Sequence, residues 1–201
     1  MQDKISLAGD LGSGKSTVCK ALSATYGAPI YDSDARAKQI MDSDRAVREA
    51  LVGLFGPEAY SADGSLNRAH IAKVAFGNKD ILARLNSIVH PKVVADFELW
   101  AERQQSDYVI LESALLFSSP LVGHYDLAVV VDAPIKMRIE RCVRRDGTTA
   151  QQVEQRINNQ MSAAQMRRMA DIVVEADGKY QVQLVWDGAQ GGTVTLIEVT
   201  E

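Results

Sequence analysis

Gly9-Asp10-Leu11-Gly12-Ser13-Gly14-Lys15-Ser16-Thr17 satisfies the pattern Gly-x-x-x-x-Gly-Lys-Ser/Thr at Gly9, Gly14, Lys15 and Ser16, and the fold is read outward from it. Three glycines let consecutive backbone N–H groups turn inward on phosphate oxygens, and a helix starting at the end of the loop adds the positive end of its dipole. Lys15 brings a mobile charge to the β/γ-phosphates, and the Ser16 hydroxyl is a candidate Mg²⁺ ligand. The flanks have the required order. Lys4-Ile5-Ser6-Leu7-Ala8 reads as a short apolar strand, and Val18, Ala21 and Leu22 fall at helical spacing. Gly9, Gly12, Ser13, Gly14, Lys15, Ser16 and Thr17 are therefore the candidate nucleotide-binding residues. A glycine-rich turn that binds nothing does not account for Lys-Ser-Thr in register after the last glycine.

A chain of 201 residues suits one α/β core with at most a smaller appendage. Hydrophobic residues at 46% and charged residues at 24% are ordinary for a globular protein. The formal charge of −4 gives no general attraction to nucleic acid or acidic membrane, so an anion site must be local. There is no basic-then-apolar leader and no run of transmembrane length, so the expected compartment is the cytoplasm. Cys19 and Cys142 lie in predicted helices without metal or redox spacing and are expected as reduced thiols.

Ala28-Pro29-Ile30-Tyr31 is a short strand candidate ending in Asp32-Ser33-Asp34, and the carboxyl ends of strands are where α/β sheets bind ligands. Helices are expected over Asp34–Met41, Asp44–Phe55, Asn67–Phe76 and Lys79–Val89, with His90-Pro91 interrupting before Lys92–Arg103 resumes. Tyr108–Glu112 and Leu127–Asp132 are apolar runs ending in an acid, as suits parallel strands covered on both faces. Lys136–Arg168 is helical and basic, broken at Asp146-Gly147-Thr148. Its arginines are either a solvated face or a concentration of charge for phosphates. Asp171–Glu175 is a last parallel-type strand, and Gln181–Trp186 with Thr193–Val199 reads as a C-terminal β-hairpin.

Phosphoryl transfer needs charge stabilisation and a carboxylate that orients or deprotonates the acceptor hydroxyl. Asp34, after the second strand, is the first candidate, with a helix cap as its alternative. Glu112 and Asp132 compete as the acid that helps hold Mg²⁺; Glu112 could also contact the acceptor, and Pro134 favours a capping role for Asp132. His90 reads as a structural or acceptor-contacting histidine rather than a metal ligand.

Several motifs together resemble the dephospho-coenzyme A kinases from about Lys4 to Gly178. They are Tyr31–Lys38, the Gly-Ser-Leu-Asn-Arg turn at Gly64–Arg68, His90-Pro91-Lys92-Val93 and Glu112–Phe117, followed by Glu140–Asp146, Arg156–Gln160, Ala170–Val174 and Asp177-Gly178. The resemblance implies ATP-dependent phosphorylation of the ribose 3′-hydroxyl of dephospho-coenzyme A, the small-molecule substrate, to give coenzyme A and ADP, with Mg²⁺. It matches Asp34 to the family's catalytic aspartate and makes Arg141 and Arg145 lid arginines beside the transferring group. Arg68 and His90 fall in an acceptor-binding helical region over about residues 35–103, and the lid over about 138–165. The implied fold is a single P-loop kinase domain over residues 1–201, an α/β three-layer sandwich whose five-stranded parallel sheet has the order 2-3-1-4-5. Two features depart from the family. Asp10 stands where a second glycine is usual and is expected to point to solvent, and paired strands replace a closing helix after Gly178.

Overall fold

The computed structural model describes residues 2–75, 77–177, 180–187 and 191–198, with side chains as far as Asp177. The expected helix end at Phe76, the Gly178 of the last motif, the hairpin loop at 188–190 and the strand end at Val199 lie outside the described residues. The chain forms two compact units, one of Met1–Asp32 with Arg103–Glu201 and the other of Ser33–Glu102.

The first unit is built on five parallel strands, β1 (Asp3–Ala8), β2 (Ile30–Asp32), β3 (Tyr108–Glu112), β4 (Leu127–Asp132) and β5 (Ile172–Glu175), in the order β2-β3-β1-β4-β5. That order is the expected one. Ile5 of the central strand stands between Ile110 and Leu127. Helix α1 (Lys15–Tyr26) lays Val18, Cys19 and Leu22 on the sheet face formed by Ile5, Leu7, Ile110, Val129 and Val131. Full burial of a side chain such as Leu22 stabilises by about 1.5–3 kcal/mol. The other face is buried too, at Val109, Leu111, Ala128 and Val130, so β3 and β4 are apolar without alternation. β2 is shorter than Ala28–Tyr31 suggested, beginning at Ile30, while the Pro29 carbonyl accepts the Ile110 N–H at 2.9 Å.

Helices α2 (Ser33–Ser43), α3 (Arg45–Phe55), α4 (Arg68–Ala75) and α5 (Lys79–Glu102) make the second unit. Asp44 caps α3, its carboxylate accepting the Val47 N–H at 2.9 Å, worth about 1 kcal/mol. The expected interruption at His90-Pro91 does not occur. Pro91 lies inside one continuous helix. Proline removes one ladder hydrogen bond, but Val89, Val93, Phe97 and Ala101, spaced by four on a single face, are all buried. The Arg36–Asp96 and Lys92–Asp44 ion pairs tie the same helix to α2 and to the start of α3.

After β4 come α6 (Ile135–Asp146), α7 (Ala150–Asn158) and α8 (Ala163–Met169). Gly147, at φ +63°, closes α6 at the expected break. A second break falls between Asn159 and Ser162, where no glycine or proline marks it. There the Ser162–Gln165 capping box restarts the chain as α8, as Thr149–Gln152 starts α7. Asp132 does not cap α6. The helix begins at Ile135, after Pro134, and Asp132 accepts the adjacent Ala133 N–H and faces Arg167 Nη1 at 2.9 Å. Pairing of β4 with β5 sets Asp132 beside Glu175, and Arg167 bridges both carboxylates. Beyond β5, β6 (Tyr180–Asp187) and β7 (Gly191–Glu198) form an antiparallel two-stranded sheet, the anticipated hairpin.

Candidate active site

The glycine-rich loop follows β1 directly and delivers the chain into α1. A Cβ on Gly9 would stand 2.4 Å from the Val131 carbonyl oxygen, so the loop packs against β4 too closely for any side chain there. Gly12 has φ +78° and the same 2.4 Å constraint from the Arg138 carbonyl, and glycine alone meets both. Gly14, at φ +97°, turns the chain into α1 without a side-chain cap. The first-turn N–H groups of Lys15 and Ser16 have no acceptor within the helix and mark an anion-binding end.

One carboxylate gathers the functional side chains of this loop. Parallel pairing sets Glu112, the last residue of β3, beside Leu7 of β1. Its Oε1 accepts from Lys15 Nζ at 2.8 Å and from Ser16 Oγ at 2.5 Å. Lys15 and Glu112 are 12% and 11% exposed, so water screens their attraction only weakly. Burial pushes the Glu112 carboxyl up, but the hydrogen bonds from Lys15 and Ser16 and the charge of Lys15 outweigh it, and the group titrates below the ordinary glutamate value. Burial first, and then the Glu112 charge, push the Cys19 thiol far up, so it stays protonated. Of the two acids weighed for Mg²⁺, Glu112 therefore sits on Ser16 and Asp132 is engaged by Arg167. A serine hydroxyl and a carboxylate are hard oxygen donors that suit Mg²⁺, which takes few protein ligands and completes its shell from phosphates and water. Among the described residues no group of three or more His, Cys, Asp or Glu forms a dedicated metal cage.

Asp10 does not point to solvent. Its side chain is 4% exposed and its Oδ2 lies 2.8 Å from Nη2 of the equally buried Arg138. Burial raises the Asp10 carboxyl, Arg138 opposes the rise, and Asp132 adds to it. The expectation failed because the partner stands 128 residues further on, in α6, where Arg138 reads as one more arginine of a basic helix. A signal was present: an acid inside a phosphate loop requires a cation, and Arg138 and Arg141, three apart, share a helix face. Arg141 donates to the Gly12 and Ser13 carbonyls and, at 2.9 Å, to that of Ala176. Arg145 is paired with its neighbour Asp146 on the surface. Gln160, the last residue of the Arg156–Gln160 motif, accepts the Leu11 N–H at 3.1 Å.

Asp34, Arg68 and His90 all belong to the helical unit. Asp34 is half-buried in the first turn of α2, where the helix dipole favours an anion. Arg68 opens α4 and meets Asp42 at 3.0 Å. His90 is half-buried in α5, and burial lowers its pKa, which keeps the ring neutral at pH 7. No described helix is long and apolar enough to cross a membrane.

The family model for dephospho-CoA kinase matches residues 4–181. The chain belongs to the dephospho-CoA kinase family. The dephospho-CoA kinase of Porphyromonas gingivalis is 44% identical over 156 residues, covering 78% of this chain and 76% of that one. The dephospho-CoA kinase of Thermobifida fusca is 35% identical over 193 residues, 93% of this chain and 96% of its own. A solved structure from Thermus thermophilus superposes with a TM-score of 0.78 at 33% identity, over 88% of this chain and 90% of that one. Membership makes the chain an ATP-dependent kinase with a P-loop kinase fold. The family model's match stops at residue 181, so all of β7 and nearly all of β6 lie beyond that model.

Proposed function

We propose that the chain transfers the γ-phosphoryl group of ATP to the ribose 3′-hydroxyl of dephospho-coenzyme A, releasing ADP and coenzyme A. The observation that carries this reading is the convergence of Lys15 and Ser16 on Glu112 at a complete phosphate loop, in a chain of this family. Loop N–H groups and Lys15 hold the β- and γ-phosphates and offset the charge that develops as the bond to ADP breaks. Asp34 orients the 3′-hydroxyl and takes its proton while the oxygen attacks phosphorus in line. Arg141 keeps a fixed positive charge against the loop. Arg145, paired with Asp146 at the surface, is available to the phosphoryl group.

Ser16 and Glu112 are the residues that would hold Mg²⁺, which would supply neutralisation of phosphate charge. Arg68 and His90, in the acceptor-binding region of about residues 35–103, contact dephospho-coenzyme A. Residues of about 138–165 act as the lid that excludes water. The purified protein, ATP, Mg²⁺ and a panel of dephospho-coenzyme A, cytidylate, uridylate and adenosine test the reading through ADP release. Dephospho-coenzyme A should be turned over far faster than the rest; a preference for a nucleoside or nucleotide would move the assignment to another small-molecule kinase.

A further inference from the structure

A single residue of α6 touches three consecutive residues of the phosphate loop. Arg138 places Nη2 2.8 Å from Asp10 Oδ2 and donates from Nε to the Leu11 carbonyl at 3.1 Å; its own carbonyl fills the space beside Gly12. Asp10 closes the turn from within, its carbonyl accepting the Ser13 N–H at 3.1 Å. In a trans peptide the C=O and the following N–H point in opposite directions. Anchoring the Leu11 carbonyl on Arg138 therefore turns the Gly12 N–H away from α6, and Arg141, holding the Ser13 carbonyl, does the same for the Gly14 N–H. The carboxylate of Asp10 keeps the Arg138 guanidinium in position for this. In return the guanidinium cancels a negative charge that would otherwise face phosphates across a weakly screening interior.

We propose that Asp10 and Arg138 are a positioning pair for nucleotide binding: together they aim the N–H groups of the loop and keep its field positive. Neither is a catalytic residue, since both act through the loop backbone. The inference rests on the phosphate-loop reading above. It predicts that the two positions are coupled, because each alone leaves the other as a buried uncompensated charge.

The test compares the wild type with Arg138→Met, Asp10→Asn and the double variant. Readouts are ATP affinity by titration calorimetry, KM for ATP and for dephospho-coenzyme A, kcat, and Tm. Arg138→Met should weaken ATP binding and raise KM for ATP at least about tenfold while KM for the acceptor stays within about twofold. Asp10→Asn should weaken ATP binding about threefold to tenfold. The double variant leaves no uncompensated charge but still lacks the bond to Leu11, so it should bind ATP more tightly than Arg138→Met and less tightly than the wild type. Should Arg138→Met fail to fold, Arg138→Lys keeps the charge but loses the bond to Leu11, and should show a smaller rise in KM for ATP. Lowered Tm with unchanged ATP affinity in the single variants, or a double variant no better than the worse single one, would overturn the proposal. A wild type that fails to bind ATP would instead overturn the functional reading on which it rests.

Discussion

Replacing Glu112 by glutamine keeps the shape of the side chain and removes its charge, and the cost follows from what that charge holds. Lys15 Nζ at 2.8 Å and Ser16 Oγ at 2.5 Å share one oxygen, in a pair nine-tenths buried. Hydrogen bonds to charged groups contribute about 1.5–3 kcal/mol, and glutamine retains a weaker acceptor, so a loss of about 2 kcal/mol is expected. For a chain of this length that lowers Tm by about 4–8 °C. Glu112 titrates lower in the folded chain than in the unfolded one. Its contribution is therefore complete above the unfolded value of about 4.3 and disappears as pH falls through the folded value. Thermal melts of the two proteins followed by circular dichroism should differ at pH 7 and converge in acid. The same variant should lose kcat in the ADP-release assay, since its amide is a poorer Mg²⁺ ligand than a carboxylate. Equal melting temperatures at neutral pH, or a gap that widens in acid, would refute the energetic argument, and wild-type kcat would remove Glu112 from the site.

Asp34→Asn should leave the ATP dissociation constant unchanged and lower kcat by about 10²–10⁴, as loss of a general base does; a variant with full turnover would take Asp34 out of that role. Lys15→Ala should raise KM for ATP and reduce kcat/KM by about a hundredfold or more, measured by steady-state ADP release. Gly12→Ala forces a Cβ to 2.4 Å from the Arg138 carbonyl at φ +78°. Left-handed strain and backbone displacement together should cost about 3 kcal/mol, a fall in Tm of about 6–12 °C.

The parts of the fold that could be read in advance are those whose cause is local. Tyr108–Glu112 and Leu127–Asp132 are strands over the full stretches expected of them, because four and five consecutive apolar positions ending in an acid suit parallel strands covered on both faces. The phosphate loop is legible for a similar reason, since its glycines answer to backbone angles and close approaches within a few residues. Asp10 was misread because its environment is made by Arg138, and no local rule connects them. Pro91 was misread in the opposite sense: the local rule was correct about the missing hydrogen bond but blind to the buried stripe from Val89 to Ala101 that carries α5 through it. Asp132 shows the same limit, with a proline two residues on suggesting a cap and a distant arginine, Arg167, engaging the carboxylate. Within the site, Glu112 could be nominated from its place at a strand end. That it gathers Lys15, Ser16 and Cys19 needed the pairing of β1 with β3.

The strand order also bears on how the chain is made. β1 is the central strand and leaves the ribosome before its neighbours β3 and β4, which begin only at Tyr108 and Leu127. At synthesis rates of about 5–20 residues per second, the intervening hundred residues take roughly 5–20 s to appear. During that time Ile5 and Leu7 have no sheet to join. The contiguous stretch Ser33–Glu102, which lies between β1 and its partners in sequence, is a separate compact unit in the finished chain. Nascent chains stalled before Tyr108 should therefore carry the apolar segment of β1 unpaired, which a chaperone that binds apolar segments would detect.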